Sequence, residues 1–220
     1  MSMDVILISA AEHEGLPLGI GLNFTHAHTT SADFAESRLA LLTGQYQQRG
    51  PKTRIEDIIP LKVTEFLEKG GLQLIECRRW EGGTEELDPE AVIVATSPNP
   101  VGDDYSTPLV IRWPGVTKPG TTCSELVSTL DIVPTIAAIT GVDTRPNAPL
   151  SVDGMNLTPV IRYGAAAHRA LFYDGGEVIT IDAHLKDGRL TAGADSPDTV
   201  AALTDQWNLW HNVMAMGPLQ

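Results

Sequence analysis

Ala91-Val92-Ile93-Val94-Ala95-Thr96 and, after a loop, Leu109-Val110-Ile111-Arg112 are the stretches whose reading decides the fold. Both are β-branched apolar runs bounded by Pro and Gly, so each reads as an interior strand of one sheet. Toward the N-terminus, Val5 to Ser9 is a similar short run suited to a buried parallel strand, and Ser37 to Leu42 reads as a helix closed by Gly44. Leu61 to Lys69 places Val63, Phe66 and Leu67 on one helical face, and Gly70-Gly71 supplies a left-handed stop before strand-like Leu72 to Cys77. Strand and helix therefore alternate.

Beyond Arg112, Ile132, Ile136 and Ile139 share one face of a predicted helix over Asp131 to Thr140, with Pro134 in its first turn and Gly141 at its end. Leu171 to Tyr173 and Val178 to Asp182 flank Gly175-Gly176, the pattern of an antiparallel hairpin. Ser196 can cap a last helix with Pro197 at its first position, and Val200, Leu203, Trp207 and Trp210 form an apolar stripe that reads as core packing. The pattern predicts an α/β fold with a mainly parallel sheet flanked by helices, then a C-terminal hairpin and helix. The chain reads as one domain over 1–220, with core sheet and helices in 1–145 and the hairpin and last helix in 146–220.

At 220 residues and 42% hydrophobic content, the chain can bury a substantial core. Its net charge of -13 opposes non-specific attraction to nucleic acid or anionic lipid, so neither is an expected partner. No apolar run is long enough to cross a bilayer. The start, Met1 to Ile8, lacks a basic segment and an Ala-x-Ala site, so the chain as given reads as cytoplasmic. Cys77 and Cys123 have no metal or redox spacing; buried, inert thiols are expected, and a disulfide stays open.

Thr107-Pro108-Leu109-Val110-Ile111-Arg112-Trp113-Pro114-Gly115, continuing to Lys118-Pro119-Gly120, resembles the V-P-L-I-[IV]-R-W-P-G-x-x-x-P-G stretch of sulfatases, a family of the alkaline-phosphatase-like superfamily. Leu126 to Thr135 with Thr140-Gly141-Val142, and then Asp153-Gly154-Met155-Asn156-Leu157, are similar to the segments that follow it there. Upstream, Phe24 to Ser31 and Ser37 to Gly44 resemble F-T-x-A-[YH]-T-x-S and S-R-x-[AS]-L-L-T-G. The resemblance implies a shortened alkaline-phosphatase/sulfatase-like sheet, since the stretch between Glu81 and Pro108 is far shorter than in the family.

The same resemblance implies a degenerate site. The family makes its formylglycine nucleophile from Cys or Ser in C/S-x-P-S-R; here Phe34 takes that place and Glu36 takes the Pro place, while Arg38 matches the family arginine. A phenyl ring has no nucleophilic atom. The first metal-binding Asp-Asp pair corresponds to Ala11-Glu12, and the later T-S-D-N-G to Thr96-Ser97-Pro98-Asn99-Pro100. Glu12 and Asn99 supply one carboxylate and one amide, a weak site for Ca²⁺ or Mg²⁺, so no cofactor is expected. Arg79-Trp80-Glu81 stands for K-W-H, keeping a cation but putting a carboxylate in place of the His. Arg38 and Arg79 are the candidates for residual oxyanion contacts, which makes an anionic small molecule the expected ligand.

His26 and His28 offer an alternative: H-x-H on a strand puts both rings on one face, and Glu12 or His13 could complete a transition-metal set. Three readings follow: a catalytically deficient sulfatase-like protein with a binding or assembly role, an ester hydrolase using a metal-activated water, and a shortened gene product without selected function. The shortened core also predicts a homo-oligomer, because apolar surface covered internally in a longer relative needs another cover.

Overall fold

The computed structural model describes residues 4–49, 71–142, 152–193 and 196–216. The helix expected over Leu61 to Lys69 lies outside them. A six-stranded sheet is built from β1 (Val5–Ala10), β2 (Leu22–His28), β3 (Leu72–Cys77), β4 (Val92–Thr96), β5 (Leu109–Arg112) and β6 (Thr121–Ser128), in the order β3-β1-β4-β5-β2-β6. β5 runs antiparallel to both neighbours, β4 and β2; the other pairs are parallel. The sheet is thus mixed and mostly parallel, and the two runs that decided the reading are its adjacent central strands.

Alternation along β1 divides the core. Val5 and Leu7 face a cluster that includes Leu41 and Leu42 of α1 (Phe34–Thr43), Ile132, Val133 and Ile136 of α2 (Ile132–Thr140), and Val160 of α3 (Thr158–Tyr163). Ile6 and Ile8 face the other way, onto Leu16, Leu87 and Ile93. Among the described residues the helices of this core lie on the first face, and irregular segments cover the second. Burial of each such leucine or isoleucine side chain stabilises the fold by about 1.5–3 kcal/mol.

Helix α1 begins three residues earlier than its apolar pattern indicated. The Asp33 side chain accepts from the Glu36 amide at 3.0 Å, which caps the helix and draws Phe34 into the first turn. Gly44 ends it at φ 68°, the left-handed conformation expected of it. Pro134 lies in the first turn of α2, which Gly141 closes.

The C-terminal hairpin is part of a larger antiparallel sheet. β7 (Leu171–Tyr173) and β8 (Glu177–Ile179) pair across Gly175 and Gly176, both at positive φ, and β9 (His184–Lys186) and β10 (Arg189–Ala192) extend the sheet. Leu171, Tyr173 and Ile179 pack on Leu126 of β6. Helix α4 (Pro197–Ala215) is capped by Ser196 and buries Leu203 and Trp210, with Val200 and Trp207 half-covered beside them. Trp207 Nε1 donates to the Tyr173 carbonyl at 2.6 Å, so the stripe is core packing.

β6 has no apolar run to announce it: its first half, Thr121 to Glu125, is exposed or half-exposed at the sheet edge. Cys77 and Cys123 are half-buried rather than buried, and both are free thiols. They sit on the two outermost strands, β3 and β6. Five strand spacings, about 24 Å, rule out a bond between them.

Candidate active-site cleft

In α/β sheets ligands bind in crevices outside the carboxyl ends of the strands. A cleft of ≈ 370 Å³ lies there, formed by Ser9 and Ala11 at the end of β1, Glu76, Cys77 and Arg78 at the end of β3, Pro98 after β4, and Phe34 and Arg38 on α1. Phe34 is 40% exposed at the start of its helix. The loop before it is tied down by Ser37, fully buried, whose hydroxyl donates to the Ser31 carbonyl at 2.6 Å, and by Ser31, whose hydroxyl donates to Glu36 at 2.7 Å. Glu36, in the place of the family's proline, is therefore a loop fastener.

Arg38 reaches the cleft, but its fork is spent: Nε and Nη2 donate to the two carboxylate oxygens of Glu76, each at 2.6 Å. The Glu76 hydrogen bonds raise the Arg38 pKa further, against the opposing effect of burial. Arg79 instead extends to Glu14 at 3.1 Å, with about half of its side chain exposed, and does not line the cleft. The two arginines expected to share an anion are not brought together there.

The residues at the implied cation site do not fit a divalent ion. Glu12 accepts from Arg78 at 2.7 Å, and Asn99 Nδ2 donates to the Ala11 carbonyl at 2.6 Å while the Asn99 backbone carbonyl accepts from His13 at 2.7 Å. Glu12 is committed to an ion pair, Asn99 ties two loops together through Nδ2 and its backbone carbonyl, and Ala11 and Pro98 offer no side-chain ligand, which leaves one paired carboxylate and the Asn99 Oδ1 as the side-chain oxygens of that site. The alternative set fails on topology. β1, which leads to Glu12 and His13, and β2, which carries His26 and His28, are separated by β4 and β5, three strand spacings or about 14 Å. His26 bonds the Ser124 carbonyl and His28 the Asp104 carbonyl, both at 2.9 Å through Nδ1. Among the described residues no three His, Cys, Asp or Glu side chains converge as a metal site.

Sequence reasoning missed Ser9, Glu76 and Cys77, which come from strand ends without a motif. The available signal was positional: the last residues of parallel strands face the crevice. The segments that resemble the family downstream hold the scaffold. Asp131, fully buried, accepts from the Ser128 and Met155 amides at 2.8 Å each. Asp153 accepts from the Tyr46 amide at 2.9 Å, and Gly154 lies so close to the Leu130 carbonyl that a Cβ there would clash with its oxygen.

A mostly parallel six-stranded sheet with β5 reversed, helices on its face and a crevice at its carboxyl edge defines the alkaline-phosphatase-like fold. The backbone superposes on Ps i-CgsB, solved in complex with k-i-k-neocarrahexaose, with a TM-score of 0.71 at 12% identity over 97% of this chain and 93% of that one. No family model matches the chain. It is 41% identical to human N-acetylglucosamine-6-sulfatase over 59 residues, 27% of this chain and 10% of that protein. It is 29% identical to the steryl-sulfatase of Rattus norvegicus over 159 residues, 66% of this chain and 26% of that protein. In sequence the chain is similar to sulfatases over part of its length, and it spans between about a tenth and a quarter of the length of these curated relatives. Among the described residues no helix is long and apolar enough to cross a membrane.

Proposed function

We propose that this chain is a catalytically deficient sulfatase-like protein with a binding or assembly role. The observation that carries the reading is Phe34: in the place of the family nucleophile, at the helix start that opens onto the cleft, stands a side chain with no atom that can attack an ester. The commitment of Arg38 to Glu76 and of Glu12 to Arg78 supports the same reading. The test is hydrolysis of a chromogenic aryl sulfate and aryl phosphate by purified protein, with and without Ca²⁺, Mg²⁺ or Mn²⁺. Rates equal to buffer are expected; metal-dependent turnover would instead favour a hydrolase using an activated water. Cooperative unfolding in denaturant counts against a gene product without selected function.

The expected ligand is a small molecule held in the cleft; the charge of -13 weighs against nucleic acid and anionic membrane. Assembly into a homo-oligomer is favoured by one feature of α4. Leu209, Val213 and Met216, at helical spacing, are 68%, 40% and 83% exposed on a stretch from Gln206 to Met216 that carries no Asp, Glu, Lys or Arg. A strongly acidic chain meets a copy of itself with least repulsion at such a surface. Light scattering should give a mass above the monomer that Leu209→Glu lowers; a monodisperse wild-type monomer would end this part of the reading.

A further inference from the structure

We propose that the cleft binds an uncharged aromatic ligand bearing one hydroxyl group, and that Glu76 keeps anions out of it. The proposal rests on the reading above that the cleft no longer cleaves esters. Ser9 is 4% exposed, lines the cleft, and its hydroxyl has no hydrogen-bond partner among the described residues. A serine hydroxyl that lines a cleft can both donate to and accept from a ligand hydroxyl. Phe34, Pro98 and Ala11 give the same cleft an apolar wall that includes a partly exposed phenyl ring, which favours an aromatic body through offset or edge contacts. Arg38 adds a planar guanidinium, a group that stacks on aromatic rings.

The charge arrangement selects against the ester anions that the fold would otherwise suggest. Both oxygens of Glu76 already occupy the fork of Arg38, in the manner a bound oxyanion would. Arg78, the second cation of the lining, is likewise held by a carboxylate, that of Glu12, so an incoming sulfate or phosphate has to displace a carboxylate or sit beside a like charge in a partly desolvated cleft. An uncharged ligand meets neither cost.

The experiment is an NMR and calorimetric titration of the purified chain with p-cresol and, separately, with p-tolyl sulfate, which shares the ring and adds the charge. Saturable binding of p-cresol is expected, weakened about fivefold by Phe34→Ala and by a similar factor by Ser9→Ala. The sulfate should fail to displace p-cresol from wild type and should bind Glu76→Gln, in which the competing charge is gone. Phe34 is exposed enough for its alanine variant to keep the fold, so the test stands if Ser9→Ala does not. No binding of p-cresol, tighter wild-type binding of the sulfate than of p-cresol, or p-cresol affinity indifferent to both substitutions would overturn the proposal. Release of p-cresol from the sulfate by wild type would overturn the non-catalytic reading instead, while absent binding together with absent turnover removes this inference alone.

Discussion

His168 Nε2 lies 2.9 Å from both carboxylate oxygens of Asp131, and this contact fastens the segment before β7 to the turn that starts α2. Burial alone would lower the His168 pKa, but the hydrogen bond and charge of Asp131 outweigh it, and the net direction is upward from 6.5. A histidine whose folded pKa is raised contributes stability that is complete below the unfolded value and is lost as pH rises through the folded one. His168→Gln should therefore cost about 2 kcal/mol in acid, with the gap from wild type closing in alkali. Urea midpoints across pH check this, and a gap that widened with pH would contradict it.

Removing the partner is predicted to be more damaging. Asp131→Ala leaves the Ser128 and Met155 amides and His168 without their acceptor, at a cost of about 3–5 kcal/mol. Chemical denaturation at neutral pH measures it.

His28 should behave in the opposite sense to His168. Its burial lowers the pKa from 6.5, opposed by the Asp104 carbonyl and charge and reinforced by His26 and His184. A depressed histidine holds its stabilising neutral form above the unfolded pKa and loses that contribution as pH falls through the folded one. The NMR midpoint of His28 is expected below 6.5 while that of His168 lies above it. His28→Gln should lose less stability than wild type on acidification from about pH 7 to about pH 5.

The Arg38–Glu76 pair is about one-third exposed, with side-chain accessibilities of 30% and 33%. Solvent screening then limits its contribution, and Arg38→Ala should change stability by no more than about 1 kcal/mol. A much larger loss in thermal denaturation would mean that the pair props the cleft open.

Phe34→Cys puts an oxidisable side chain back at the helix start, yet aryl sulfate hydrolysis should stay at the buffer rate. Ala11 and Pro98 still provide no metal ligands, and Glu76 still fills the fork of Arg38. Turnover by this variant under conditions that modify the cysteine would show that the rest of the site is competent.

Much of the fold was legible because local patterns carried it. Val5 to Ala10, Val92 to Thr96 and Leu109 to Arg112 are almost wholly buried, so each had to be written in apolar β-branched residues, and the left-handed stops at Gly44 and Gly141 were equally visible. β6, β9 and β10 escaped notice because edge and partly wetted strands can be written in polar residues.

For the site, the sequence alone determined which chemical groups exist: a phenyl ring at Phe34, an arginine at Arg38, and only Glu12 and Asn99 at the implied cation ligands. Pairing was decided by the tertiary structure, since a charged side chain takes whichever partner the sheet order sets beside it. Parallel register placed Ser9 beside Glu76, and the packing of α1 over that edge brought Arg38 onto the same carboxylate. Sheet order likewise put two strands between the Glu12 and His26 segments, a separation that no spacing within the sequence encodes. Composition and local periodicity act over a few residues, whereas these contacts join positions tens of residues apart through strand neighbours.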